Sequence, residues 1–149
     1  MEFDIARARS PGFIRRLAAM VYDLILLFGM LLLAVTLVVL PYEGLTGSEF
    51  PNKGWIYHLH QLYLLCIVVG FHIFFWVRAG QTLGMRAWRF RLFRDDGRSL
   101  SVADAFKRFA WATATLAPIG LLWIPFDSER LGLYDRLSHT RPVMLKKGS

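Results

Sequence analysis

The chain has 149 residues, enough for one domain, and 55% of them are hydrophobic, including 15% aromatic. This composition is too apolar for an ordinary small soluble domain. The net charge of +7 favours an anionic lipid surface over nucleic acid, because no basic stripe with interleaved polar residues accompanies it. The single cysteine, Cys66, excludes an internal disulfide.

The first apolar segment runs from Leu17 to Leu40. As a helix it would be about 36 Å long, enough to cross a bilayer with some tilt. Pro41 and the polar stretch YEGLTGSEFPNKG are expected to end it. It is too long for the apolar region of a signal peptide, and no small-residue cleavage site follows it, so we expect it in the mature protein.

Two more apolar segments follow. The second, Tyr57 to Val77, has Trp55 near one end and Trp76 at the other, as interfacial anchors would lie. The third, Phe109 to Phe126, is interrupted by the sequence APIG at Ala117 to Gly120. This interruption predicts either a kinked span or a re-entrant hairpin.

The connection 78–108 contains its own structural pattern. Apolar and basic residues alternate in WRFRLFRDDGRSLS, and Asp95-Asp96-Gly97 supplies turn chemistry, which predicts a short hairpin or an amphipathic surface element. Ser101 and Asp104 have the spacing of a capping box that starts the third helix. The tail stretch TRPVML is a candidate edge strand for the same element. The sequence shows no internal repeat.

Basic residues orient the chain. Four precede the first apolar segment and eight lie in the connection 78–108, whereas the connection 41–55 has one. The positive-inside rule therefore places the N-terminus and residues 78–108 in the cytoplasm. Residues 127–149 carry five more, which favours a re-entrant third segment. The predicted fold is one all-α membrane domain over 1–149, with two full spans, a third span or re-entrant hairpin, and a small cytoplasmic β-hairpin or amphipathic element.

Three charged residues resemble a known family pattern. Arg16 at the start of the first span, Asp23 seven residues later and Asp135 near the C-terminus are similar to those of the RDD family of small bacterial membrane proteins. The stretches GQTLGMRAWRFRLFRDDG, from Gly80 to Gly97, and LYDRLSHTRPV, from Leu133 to Val143, extend the resemblance.

The sequence departs from the family pattern at two positions. Arg89 stands where glycine is common, and Tyr134 stands where histidine is common. The resemblance implies a multi-pass protein of the bacterial inner membrane with suspected transport activity and no assigned substrate.

The candidate site consists of Arg16, Asp23 and Asp135. An unpartnered carboxylate at the depth of Asp23 would cost roughly 3 kcal/mol, so it must meet protein, water or a cation. Arg16 lies about 10.5 Å away along the helix axis, too far for a direct salt bridge. We expect Arg16 instead at the cytoplasmic boundary, where it reaches lipid phosphates or a tail carboxylate such as Asp135.

The partner of Asp23 decides its role. One hypothesis is a structural ion pair with Arg86, Arg108 or an arginine of another protomer. The other is a protonatable group in an ion or proton pathway. The family stretch also supplies possible supporting residues, which are Gly80, Gln81, Thr82 and Gly84.

Other chemistry finds little support. A haem needs axial ligands from facing helices, but only the second apolar segment contains histidine, with His72 deep inside it. No His and Cys set has zinc spacing, and no serine has a nucleophile–base context. We therefore expect no catalytic residue, no metal, no cofactor and no enzyme activity.

Two functional hypotheses remain. The first is a homo-oligomeric transporter of a monovalent cation or proton that uses Asp23. The second is a non-catalytic accessory protein that acts in assembly or binds anionic lipid headgroups in the bilayer. A pathway requires an exchangeable Asp23, whereas an assembly role predicts an Asp23 saturated by arginine.

Overall fold

The computed structural model describes residues 9–145 and is mostly helical. Its elements, in chain order, are α1 (Phe13–Thr46), α2 (Trp55–Ala79), α3 (Leu83–Ala87), β1 (Phe90–Arg94), α4 (Val102–Ala114), α5 (Ala117–Leu121), a 3-10 turn (Ile124–Phe126), α6 (Leu133–Leu137) and β2 (Thr140–Met144). The predicted membrane fold with mostly helical structure and a small β element is confirmed.

Helices α1 and α2 are both long and apolar enough to cross a membrane. In the most apolar 18-residue stretch of each helix, the share buried inside the protein is only 11% for α1 and 6% for α2. Water-soluble proteins rarely expose apolar patches of this extent. Lipid is therefore the expected environment of both helices.

The first helix is longer than predicted. It continues through Pro41 to Thr46 instead of ending at the proline. Proline is tolerated inside membrane helices because neighbouring groups satisfy the carbonyl that it leaves unpaired. The helix ends at Gly47, whose φ of +65° is the left-handed conformation that terminates many helices.

The described residues divide into two compact units. One comprises residues 24–71, and the other comprises residues 9–23 together with 72–145. Within the smaller unit, the ring of Phe50 lies 5.1 Å from that of Tyr42 and 4.9 Å from that of His60. The backbone amide of Phe50 also donates to the Glu43 carboxylate at 3.0 Å, which fixes the connection between α1 and α2.

The larger unit contains a two-stranded antiparallel sheet. Strand β1 pairs with β2 in a register that aligns Leu92 with Pro142. The predicted tail strand is thus confirmed, but a hairpin within residues 88–101 is not formed. After the turn at Asp95–Gly97, the chain enters α4 directly, and the predicted capping box between Ser101 and Asp104 is present.

The third apolar segment turns back. Helix α4 ends at Ala114, and Leu116 adopts a left-handed φ of +46°. The helical stretch Ala117–Phe126, which follows, is bent by 95° relative to α4. The bend falls immediately before the APIG sequence. Because β1 and β2 flank this segment and pair with each other, its two ends lie close together. The re-entrant interpretation is therefore favoured over a third crossing.

The sheet is built from a structural repeat. Residues 83–94 and 133–144 each form a five-residue helix and a five-residue strand, separated by two residues, the second of which, Arg89 or His139, has a left-handed φ. Equivalent positions lie 50 residues apart, and the central pair of the sheet, Leu92 and Pro142, joins two equivalent positions. The sequence does not reveal this structural repeat, because only three of the twelve aligned residues are identical.

Candidate functional site

The carboxylate of Asp23 lies in α1 and is only 6% exposed. The Thr82 hydroxyl donates to its Oδ2 at 2.5 Å, and the backbone N–H of Gly84 donates to its Oδ1 at 2.8 Å. Thr82 is also the N-cap of α3, because its hydroxyl accepts from the Met85 amide at 3.3 Å. Asp23 therefore holds the start of α3 against α1. We call Asp23, Thr82 and Gly84 the Asp23 site.

Gly84 is required for this close approach. A Cβ atom at this position would overlap the backbone oxygen of Ala19 and would lie 2.9 Å from the carboxyl carbon of Asp23. Only glycine allows the α3 backbone to come this close to α1. Ala19, one turn before Asp23, is itself 1% exposed, so a small residue is used on both helices.

The hypothesised ion pair of Asp23 with Arg86 or Arg108 is not formed, and a pair with an arginine of another protomer stays a hypothesis. Within residues 9–145, no Lys or Arg forms a salt bridge with Asp23. Arg86 is exposed, and Arg108 binds elsewhere. The reason is local: a hydroxyl and a backbone amide from α3 supply the hydrogen bonds. His72 lies close enough to interact electrostatically with the carboxylate.

A second buried cluster surrounds Asp135, which is 0% exposed. Arg16 forms a buried salt bridge with its Oδ2, and Arg108 donates to its Oδ1 at 2.6 Å. Arg108 also donates to the Thr140 hydroxyl at 2.5 Å, and the Gly132 amide donates to Asp135 Oδ2 at 2.8 Å. We call Arg16, Arg108, Asp135 and Thr140 the Asp135 cluster. It contains the predicted contact between Arg16 and the tail.

The electrostatics of the Asp135 cluster favour a permanent negative charge. Burial raises the pKa of the Asp135 carboxyl, but the guanidiniums of Arg108 and Arg16 outweigh this effect and lower it below the ordinary value. The Arg108 guanidinium lies between two rings, 5.3 Å from that of Trp76 and 5.0 Å from that of Tyr134. These contacts fix the cluster as a structural unit.

Tyr134 stands where the family pattern often has histidine. Burial, together with the negative charge of Asp135, raises the pKa of its phenol to about 12. It therefore remains protonated at neutral pH and serves as a packing partner for Arg108. Proton transfer by this residue is not expected under those conditions.

The other predicted supporting residues lie outside both clusters. Gly80 adopts a φ of +68° and accepts a hydrogen bond from the Leu92 amide at 2.7 Å, so it positions β1. The side-chain oxygen of Gln81 is buried and has no hydrogen-bond partner among the described residues.

No three His, Cys, Asp or Glu side chains in residues 9–145 are close enough to hold a metal ion together.

Residues 10–139 match the profile of the RDD family, and this range contains Arg16, Asp23 and Asp135. The chain belongs to the RDD family. No curated protein and no solved structure matches it. In this RDD protein, the three charged residues are thus divided between two places: Arg16 and Asp135 form one ion pair, and Asp23 forms a separate site.

Sequence reasoning did not identify several of the contributing residues. These are the cluster member Thr140 and two residues that contact the cluster, Trp76 and Gly132, which come from three different elements or loops. Gly132 lies three residues before Asp135, which is the spacing of a capping box, whereas nothing in the spacing of Thr140 or Trp76 links them to Asp135. The left-handed φ of +58° at Arg89 does have a sequence correlate, since glycine is common there in the family and adopts this conformation without strain.

Proposed function

We propose that this RDD protein moves a monovalent cation or a proton across the bacterial inner membrane, with Asp23 as the exchanging group. The observation that carries the proposal is the set of partners around Asp23. Its carboxylate lies inside a candidate span and is held by two neutral donors, with no arginine among the described residues. Among residues 9–145, no Lys or Arg neutralises it.

Asp23 also retains acceptor capacity. A carboxylate can accept about four hydrogen bonds, and Thr82 and Gly84 use two of these positions. The described hydrogen bonds leave the other lone pairs of Asp23 without a donor, and His72 is the titratable group beside the carboxylate. Asp135 differs in this respect, because two guanidiniums, one amide and burial leave it no exchangeable position.

The topology supports the proposal. The basic residues before α1 and in the connection 78–108 fit a cytoplasmic location for those two stretches, with α1 and α2 as the two crossings. Two crossings and a re-entrant segment are too few to enclose a pathway. Transport through Asp23 therefore requires several copies of the chain around one axis.

A second candidate function is assembly or lipid organisation without transport. It is favoured by the same hydrogen bonds, because a carboxylate that fastens Thr82 and Gly84 to α1 already has a structural purpose. The two candidates differ in what Asp23→Asn should do. The amide oxygen of asparagine can still accept from the Gly84 N–H, and its NH2 group can donate to the Thr82 hydroxyl, but the side chain cannot carry a charge.

Ion flux in proteoliposomes tests the proposal. Wild-type protein should dissipate an imposed proton, Na⁺ or K⁺ gradient faster than protein-free liposomes. Asp23→Asn should reduce this flux at least about tenfold, because the charged form is lost, while the protein remains folded. Asp96→Asn is the matched control, because Asp96 is exposed, and it should transport like wild type.

Two outcomes would contradict transport through Asp23. Equal flux in wild type and Asp23→Asn would remove Asp23 from the pathway. Wild-type flux no faster than that of protein-free liposomes, for all three gradients, would favour the accessory function.

A further inference from the structure

We infer that a cleft beside the start of α1 binds a phosphate group, on a lipid headgroup or on a soluble compound. The cleft has a volume of about 850 Å³, and its charged lining residues are Arg9, Arg15, Arg130, Arg141 and Glu129. Four arginines against one glutamate leave a formal charge of +3. We call it the arginine cleft; it is separate from the Asp23 site and does not depend on the proposed transport.

Among residues 9–145, most of this positive charge has no carboxylate partner. Glu129 forms a salt bridge with Arg141. In residues 9–145, no carboxylate forms a salt bridge with Arg9, Arg15 or Arg130. The Arg15 guanidinium donates to the Met144 sulfur at 3.6 Å. Guanidiniums that converge on a concave surface without carboxylate partners are suited to bind phosphate through paired N–H donors.

The walls of the cleft are held in place by the buried Arg16. Its Nε donates to the Pro11 carbonyl at 3.0 Å, and its Nη2 donates to the Arg130 carbonyl at 2.7 Å. A third wall is attached by the Met144 amide, which donates to the Arg9 carbonyl at 2.8 Å. The arginines therefore project from three chain segments that are fixed before any ligand binds, which lowers the entropic cost of binding.

Arg130 is held in an unusual conformation. Its φ of +56° is left-handed, and the turn that contains it is fixed by Asp127, whose carboxylate accepts from the amides of Glu129 and Leu131 at 3.0 Å. Left-handed non-glycine residues cost energy and persist where the surrounding contacts require them. Here the contacts present the Arg130 side chain at the rim of the cleft.

The location of the cleft indicates its ligand class. Arg15 lies two residues before the apolar run of α1, so the cleft is at the level expected for lipid headgroups. Helix α1 begins at Phe13, next to the cleft residue Gly12, so the positive end of its dipole also favours an anion. The cleft volume is within the range of about 300–1,000 Å³ that is typical of small-molecule sites. The cleft therefore has room for a phosphate group together with the rest of a larger compound.

The test compares two double variants with the same loss of charge. Arg15→Gln/Arg130→Gln removes two cleft arginines, whereas Arg86→Gln/Arg98→Gln removes two exposed arginines that do not line it. Purified protein would be examined for retention of phosphatidylglycerol from mixed micelles with phosphatidylcholine, and titrated separately with inorganic pyrophosphate. Arg9→Gln provides an independent cleft variant, and thermal unfolding without either probe verifies the fold.

Wild type and Arg86→Gln/Arg98→Gln should bind with equal affinity, while Arg15→Gln/Arg130→Gln should lose about tenfold or more. Loss of phosphatidylglycerol binding identifies a lipid headgroup as the ligand source, and loss of pyrophosphate binding identifies a soluble phosphate. Equal binding by the two double variants, or no binding of either probe by wild type, would overturn the inference.

Discussion

Asp135→Asn should destabilise the protein by about 3–5 kcal/mol, because it leaves two buried guanidiniums without their counter-charge. Arg16 and Arg108 both bind the Asp135 carboxylate, and all three side chains are almost fully buried. The change retains size and shape, so the effect reports the lost charge. Thermal unfolding in detergent would measure it as a fall in Tm.

Asp96→Asn is the control for this prediction, since Asp96 is exposed and its salt bridge with Arg94, at 3.4 Å, lies at the surface. It should change stability by less than about 1 kcal/mol. A Tm for Asp135→Asn equal to that of the control would show that the Asp135 cluster is not a stabilising ion pair.

The same cluster predicts a pH dependence. The pKa of Asp135 is lowered in the folded protein, so its contribution to stability is present above the unfolded pKa of about 3.9 and is lost as the pH falls through the folded value. Stability contributed by Asp135 should therefore stay constant from neutral to mildly acidic pH.

Gly84→Ala should be the second strongly destabilising change. The added methyl group would overlap the Ala19 carbonyl and press on the Asp23 carboxyl group. Overpacking of this kind typically costs about 1–3 kcal/mol, and separation of α3 from α1 would also break the hydrogen bond from Gly84 to Asp23. Thermal unfolding and proteolysis of the purified protein would measure the loss.

Gly70→Ala is the matched control, because a Cβ at Gly70 in α2 meets no atom within 4 Å. Alanine is the better helix former by about 1 kcal/mol in water, so this variant should be as stable as wild type or slightly more stable. If Gly84→Ala and Gly70→Ala behave alike, the close approach of α3 to α1 is not a feature of the protein in solution.

Local sequence patterns predicted the parts of the fold that depend on local chemistry. Apolar runs identified α1 and α2, and the spacing of Ser101 and Asp104 identified the start of α4. The end of α1 was misplaced, because a proline inside a membrane helix need not terminate it. Hydropathy alone does not separate these two outcomes.

The site depended on contacts that local patterns do not contain. Asp23 and its donors Thr82 and Gly84 are about 60 residues apart in the chain. The cost of a bare carboxylate predicted that Asp23 has a partner, but not that the partner is a hydroxyl and a backbone amide. Because nearly every residue has a backbone amide, the sequence does not mark which amide binds Asp23, whereas the arginines are visible in it as possible partners.

The central claim is that Asp23 exchanges a proton or cation, whereas Asp135 does not. The most direct measurement is modification by a hydrophobic carbodiimide, which reacts with protonated carboxyl groups in apolar surroundings, followed by mass spectrometry of the protein in lipid. We expect modification of Asp23 that slows as pH rises or as the transported cation is added, and no modification of Asp135. An Asp23 that is never modified, or is modified at a rate independent of pH and cations, would contradict the claim.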